Sequence, residues 1–212
     1  MEKTEIALRR IAAVLTLAVC CFGSAFCAGR WELGAGVRDS YHINFRAAYG
    51  GHAFVAAEHS VYSYEVRYQY WRLYAGGMVS VPYAEFEGSA FYGRTWCGSY
   101  MSAGALLSAK VLPPGPVSVF GTLNPLYDSG LKYNTCFSAG LAVRIFKPVS
   151  LRASYTTIPE FRESEKRVRA GVEVRVGGLS VLPELSLPTD RAHRSRSLRL
   201  LMSFSYTFFT GK

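Results

Sequence analysis

The chain has 212 residues, carries 24 Lys and Arg against 15 Asp and Glu for a formal net charge of +9, and is 50% hydrophobic. That length bounds it to one domain, and no apolar run reaches the roughly 18 residues that a membrane-crossing helix needs. The basic residues fall one or two per segment rather than in a patch, which argues against nucleic acid as a partner.

The N-terminus reads as a leader. Arg9-Arg10 precede the apolar stretch Ile11 to Phe22, and the small residues Gly23-Ser24-Ala25 follow. A basic start, a short apolar core and a small-residue exit are the marks of a secretory signal peptide. The leader is taken as residues 1–28 and the remaining domain as residues 29–212. Export removes Cys20, Cys21 and Cys27 from consideration and leaves Cys97 and Cys136. Those two are either bridged in an oxidising compartment or two small residues facing a barrel wall or lumen. No Cys/His metal spacing is present, so no metal site is assigned. No glycine-rich phosphate loop occurs either, and no cofactor is implied.

After the leader, apolar and polar residues alternate with a period of two, the signature of half-buried strands. Trp31, Leu33, Ala35 and Val37 oppose Glu32, Gly34, Gly36 and Arg38, and Asp39-Ser40 make a turn. Tyr41 to Tyr49 forms a second segment, ended by the hairpin signal Gly50-Gly51. His52 to Glu58 is short and of unclear phase. In the next segment Tyr62, Tyr64, Val66, Tyr68 and Tyr70 face one way, and Trp71 to Ala75 carries it to a predicted turn at Gly76-Gly77. Met78 to Val81 is cut by Pro82. Glu85 to Trp96 follows, with Arg94 breaking its apolar parity as a side chain near a membrane interface would. Ser99 to Leu112 ends at Pro113-Pro114-Gly115-Pro116, which has to be a turn. Val117 to Leu123, Leu131 to Phe146, Val149 to Tyr155 and Arg167 to Val176 are further segments. Gly177 to Ser197 reads as the longest irregular stretch, with Pro183 and Pro188 inside it, and Leu198 to Phe209 closes the chain.

The apolar parity is aromatic-rich, drawing on 14 Tyr and 13 Phe, several near segment ends where interface girdles belong. Backbone groups unpaired in hydrocarbon cost several kcal/mol each, so strands facing lipid have to close on themselves. The last segment ends Phe204-Ser205-Tyr206-Thr207-Phe208. On this alternation and this ending, the stretch from Trp31 to Phe209 resembles the outer-membrane β-barrel proteins of Gram-negative bacteria, specifically their small single-chain members. Phe204, Tyr206 and Phe208 resemble the C-terminal assembly signal of that class, although Thr210-Gly211-Lys212 follow where the family usually ends on an aromatic. The resemblance implies an all-β chain forming a single antiparallel transmembrane barrel of about twelve strands, or about eight or ten if short segments merge. It implies residence in the lipid bilayer of the outer membrane, contact with the barrel-assembly machinery, and a place for an envelope protein partner.

The other parity is rich in Gly, Ser and Arg. Facing a lumen, Glu32, Glu65 and Glu173 with Arg38, Arg46, Arg67, Arg144, Arg152, Arg169, Arg175 and Arg199 form a charge network. A small barrel is filled by such side chains, and a wider one leaves the arginine excess bordering a narrow anion-preferring passage. The expectation favoured is the packed interior: a non-catalytic barrel with a structural, adhesive or envelope-assembly accessory role. The pore is an alternative, as are a lipid-modifying outer-membrane enzyme and a soluble lipocalin-like carrier with its apolar parity inward. For hydrolysis a serine, a histidine and an acid have to converge. Glu58-His59-Ser60 fails, because adjacent strand residues point to opposite faces, and Ser40 with His42 has no acid assigned to it. No catalytic residue is therefore expected.

Overall fold

In a computed structural model, residues 31–40, 42–60, 70–95, 100–129, 132–157, 166–189 and 198–210 are described. The predicted leader lies outside them, as do Glu65, Arg67, Cys97 and most of the tyrosine-rich segment before Tyr70. The alternating stretches form twelve strands: β1 (Trp31–Arg38), β2 (His42–Tyr49), β3 (Ala53–Ser60), β4 (Tyr70–Val81), β5 (Ala84–Thr95), β6 (Met101–Val111), β7 (Val117–Asp128), β8 (Lys132–Phe146), β9 (Val149–Thr156), β10 (Arg167–Val176), β11 (Leu179–Pro188) and β12 (Arg199–Thr210). Each pairs antiparallel with its neighbours in sequence, and β12 pairs with β1, so the sheet closes into a barrel without an edge. In the closing ladder Phe204, Tyr206 and Phe208 stand opposite Val37, Ala35 and Leu33.

The strand number matches the expectation, but three strands are composed differently from it. β7 runs past the expected end at Leu123, through Asn124 and Pro125 to Asp128, a stretch expected to be a loop, in an unbroken ladder to β8. Gly76-Gly77 is not a turn. Strand β4 runs through it, with Gly76 opposite Ser89 and Gly77 opposite Gly88 in an unbroken ladder to β5. Nor is 177–197 irregular throughout. The turn is only Gly177-Gly178, and β11 follows, with Leu179, Val181, Leu185 and Leu187 on one face and Ser180, Glu184 and Ser186 on the other. Pro183 removes a single backbone donor from β11, and pairing to β10 resumes on either side of it at Val181 and Glu184.

The connections differ sharply between the two ends. At the end where β1 starts and β12 finishes they are residues 50–52, 82–83, 112–116, 147–148 and 177–178; at the other they include 61–69, 157–166 and 189–198. Short turns face the periplasm and long loops the exterior in outer-membrane barrels, so the ends are called inner and outer accordingly.

The barrel is turned inside out relative to a soluble one. Phe45, Val79, Leu123, Leu141, Leu151, Leu185, Leu200 and Phe204 are exposed on its outside. Aromatics ring that surface at both levels, Tyr49, Tyr83, Phe146 and Phe208 near the inner end and Trp71, Tyr92, Tyr127, Tyr133 and Tyr155 near the outer end. Arg94 is exposed in the outer ring and donates from Nε to the Tyr92 hydroxyl at 2.9 Å, so its stem crosses apolar surface while its charge finds a polar neighbour. An inward-packed lipocalin-like arrangement is excluded by this facing.

Small residues on the inner face let strands and side chains come close. A Cβ on Gly140 would collide with the Ala153 carbonyl oxygen and lie 2.6 Å from Phe120 Cζ and 2.7 Å from Ser154 Cβ. The glycine thus seats the Phe120 ring in the lumen.

Candidate functional site: the charged lumen

Inward-facing residues of the strands divide the lumen into two cavities. The outer one has a volume of about 540 Å³ and the inner one about 490 Å³. Both are bounded by Glu87, Phe120, Thr122 and Arg152, which form a waist between them. At the waist the Arg152 guanidinium carbon lies 4.5 Å from the Phe120 ring centroid, and Arg46 Nη1 pairs with Glu87 Oε2 at 2.8 Å. Arg46 also sits over the Phe54 ring at 3.9 Å. A guanidinium stacked on an aromatic is held by its face and keeps its edge for hydrogen bonds.

Among the described residues the outer cavity is electrically balanced. Its basic side chains are Arg38, Arg46, Arg72, Arg152 and Arg169, and its acids are Asp39, Glu58, Glu87, Asp128 and Glu184. Arg38 donates to both Glu58 oxygens at 3.0 Å from Nη2, and the Tyr70 hydroxyl donates to the same carboxylate at 2.9 Å. Arg72 stacks on Tyr70 and Phe91 at 4.0 and 4.8 Å. Beneath it Phe91, Leu126 and Cys136 pack as a small buried apolar cluster against Tyr74.

Asp39 comes from the β1–β2 turn, yet it is 2% exposed. It and Ser40 both take left-handed backbone, φ 53° and 65°. Such conformations cost about 1–3 kcal/mol for most non-glycine residues and less for Asp. The turn is bolted to β12, with the Asp39 N–H donating to Ser203 Oγ at 2.9 Å and the Ser40 N–H to the Met202 carbonyl at 2.7 Å. So placed, the Asp39 carboxylate accepts from Arg38 at 2.7 Å and from Arg169 of β10 at 2.8 Å. Burial pushes the Asp39 pKa up, but Arg169 first and then Arg38 outweigh it and hold the carboxyl below its usual range.

The inner cavity is basic. Lys110, Arg144, Lys147, Arg152 and Arg175 line it against Glu85, Glu87 and Glu173. Glu173 takes Arg175 at 2.7 Å and Arg152 at 3.6 Å, and Lys110 lies 3.9 Å from Glu85. Among the described residues, no carboxylate lies within ion-pair distance of Arg144 or Lys147.

Of the predicted charge network, Arg38, Arg46, Arg144, Arg152, Arg169, Glu173 and Arg175 therefore all line one cavity or the other. Arg199 stands on the inward parity of β12 opposite the buried Ser186, and Glu32 on the inward parity of β1 opposite the buried Ala48. Sequence reasoning missed Asp39, Glu58, Tyr70, Arg72, Glu87 and Glu184. Glu58 and His59 do point apart: Glu58 joins the luminal network, while His59 Nδ1 bonds the Tyr70 carbonyl at 3.0 Å. Glu58→Gln should destabilise the outer half by about 1 kcal/mol, because it removes the charge of a buried carboxylate from Arg38, which is itself part-exposed and keeps Asp39. A clearly lower midpoint in thermal loss of the heat-modifiable folded band checks this, and an unchanged midpoint refutes it.

No family model and no curated protein matches the chain. Solved structures do. The KdgM porin in complex with disordered oligogalacturonate is similar at TM-score 0.58 and 10% identity over 84% of this chain and 99% of that one. Another structure of the KdgM porin gives TM-score 0.57, 10% identity and coverage of 84% and 99%. A membrane protein solved in work on in-meso crystallization gives 0.56, 13% identity and coverage of 87% and 84%. These neighbours overturn the favoured expectation of a structural, adhesive or assembly-accessory barrel. That expectation assumed an interior filled by its own side chains, whereas at twelve strands the lumen keeps two cavities. With its apolar exterior, aromatic rings and asymmetric ends, the chain has the fold of the small outer-membrane porins, a closed transmembrane β-barrel.

Proposed function

We propose that the chain is a narrow, anion-preferring, non-enzymatic passage across the outer membrane, suited to small acidic solutes. The observation that carries this reading is the inner cavity, where five basic side chains face three acids and Arg144 and Lys147 stand unpaired among the described residues. A cavity with low-dielectric walls and one sign of excess charge raises the local concentration of the opposite ion. Arginines stacked on Phe54 and Phe120 add donor edges along the route. The fold-level likeness to a porin solved with oligogalacturonate, an oligomer of an acidic sugar, is consistent with cargo of this charge. Refolded protein in planar bilayers should give steady unitary currents whose reversal potential in a potassium chloride gradient lies on the chloride side. A reversal potential on the potassium side would sink the proposal.

The same reading assigns the remaining predicted roles. Residues 1–28 are the leader that exports the chain, and Arg38, Arg46, Arg144, Arg152, Arg169 and Arg175 are the luminal cations. Phe204, Tyr206 and Phe208, outward on the closing strand, are the signal taken up by the barrel-assembly machinery. The long outer connections are where an envelope protein partner would dock.

A further inference from the structure

The outer mouth differs from the inner cavity in one respect that bears on passage: among the described residues its charges are matched. Five arginines face five carboxylates there. Four of those carboxylates, Glu58, Glu87, Asp128 and Glu184, belong to strands, whereas Asp39 belongs to a turn. Its backbone is left-handed at two successive non-glycine residues, and hydrogen bonds to Ser203 and Met202 fasten it to β12. This is the geometry that brings a turn carboxylate into the lumen and between two guanidinium groups.

The consequence is a chain of charges across the mouth. Glu58 on β3 meets Arg38 on β1 at 3.0 Å, Arg38 meets Asp39 at 2.7 Å, and Asp39 meets Arg169 on β10 at 2.8 Å. In the closed order β3-β2-β1-β12-β11-β10 that chain covers five strand steps of a twelve-strand ring, nearly a diameter. Arg38 donates to Oδ2 of the Asp39 carboxylate at 2.7 Å, and Arg169 donates to Oδ1 at 2.8 Å and to Oδ2 at 3.5 Å. Two guanidinium groups converging on one carboxylate form a carboxylate receptor, whichever molecule supplies the carboxylate.

We propose that Arg38 and Arg169 form a carboxylate-binding site at the outer mouth, occupied in the closed state by the chain's own Asp39, and that an entering solute carboxylate displaces Asp39 and opens the mouth. The proposal rests on the anion-passage reading and adds to it an entry site and its competitor. The exchange is balanced: one carboxylate leaves the guanidinium pair as another arrives, and the released turn relaxes from a backbone conformation that few side chains adopt. A solute without a carboxylate offers no such replacement, so the latch admits by chemistry as well as by size.

The test compares wild type, Asp39→Asn and Asp39→Gly in planar bilayers, first in potassium chloride and then with chloride replaced by acetate. Asn and Gly both accept positive φ, so the turn keeps its shape, and heat-modifiable migration reports that the barrels are folded. In wild type, acetate should raise open probability. In both variants the mouth should already be open, insensitive to acetate, and more anion-selective by roughly threefold to tenfold, from loss of one negative charge at short range. A silent wild type with conducting variants would equally support the latch. Folded variants with wild-type conductance, selectivity and acetate response would overturn the latch and leave the passage standing. Silence of all three folded proteins would overturn both.

Discussion

Arginine at Val172 should strongly impair assembly of the barrel, whereas arginine at Ser138 should leave it intact. Val172 lies in the middle of β10, opposite Leu151 in the ladder to β9, and its side chain is 38% exposed on the lipid-facing surface. Leu185 and Leu200 are exposed on the strands beyond it. An arginine at the bilayer midplane on the outside of such a barrel costs about 2–4 kcal/mol. That is a large share of the roughly 5–15 kcal/mol that holds a typical domain together. Long side chains near a strand end reach the headgroups, as Arg94 does beside Tyr92; from the centre of β10 the reach is too great. Ser138, on the inward parity of β8, lines the outer cavity, where a guanidinium meets polar groups and carboxylates. The pair of variants therefore separates facing from mere addition of charge. Heat-modifiable migration of protein recovered from outer membranes, or refolded into vesicles, is the measurement. Normal insertion of Val172→Arg, or failure of Ser138→Arg alone, would reverse the assignment of inside and outside.

That assignment was legible in the sequence because it rests on a period of two, which needs no tertiary information. Phe45, Phe137, Val172 and Phe204 are outward in the structure as their parity requires. Strand boundaries were harder, and the three errors, in β4, β7 and β11, have one cause. Glycine pairs and prolines end strands in soluble sheets, where each local break is free to become a loop. In a closed barrel both neighbours hold the strand in place, so Gly76-Gly77 continues β4, and β11 runs through Pro183 with two pairs missing from its ladder to β10 and its ladder to β12 intact. The luminal cations were found because they recur on the polar parity. Their partners were not, since pairing is set by strand order and shear. Glu58 and Arg38 are 20 residues apart in sequence and two strands apart in the ring. Asp39 was read only as a turn former, and nothing local distinguishes a turn that faces water from one folded into the lumen against Arg169. The flanking Arg38 and the buried partner on β12, Ser203, are the signals, and both become visible only once β1 and β12 are known to pair.

Reversing the two unpaired cations of the inner cavity, with Arg144→Glu and Lys147→Glu together, should invert the ion preference. Five basic groups against three acids become three against five, because each change removes one positive charge and adds one negative. Both side chains are exposed, and neither has a carboxylate partner among the described residues, so folding should change by less than about 0.5 kcal/mol per site. Two unit charges interacting at about 4 Å across an effective dielectric of about 20 amount to roughly 4 kcal/mol, and to about 1 kcal/mol in bulk water. A wet cavity lies between, so each reversal should move the anion-to-cation permeability ratio by roughly tenfold or more. The reversal potential in a potassium chloride gradient should then change sign, with unitary conductance kept within about twofold because the waist at Phe120 and Arg152 is untouched. Arg144→Gln alone should fall between wild type and the double variant. Salt separates charge from shape as the origin of selectivity. Screening shortens from about 10 Å at 0.1 M to about 3 Å at 1 M, so the difference between wild type and the double variant should shrink strongly over that range. An anion preference that survives both high salt and the double reversal would assign selectivity to the waist's geometry, and an unaltered reversal potential at low salt would remove the inner cavity from the ion's path.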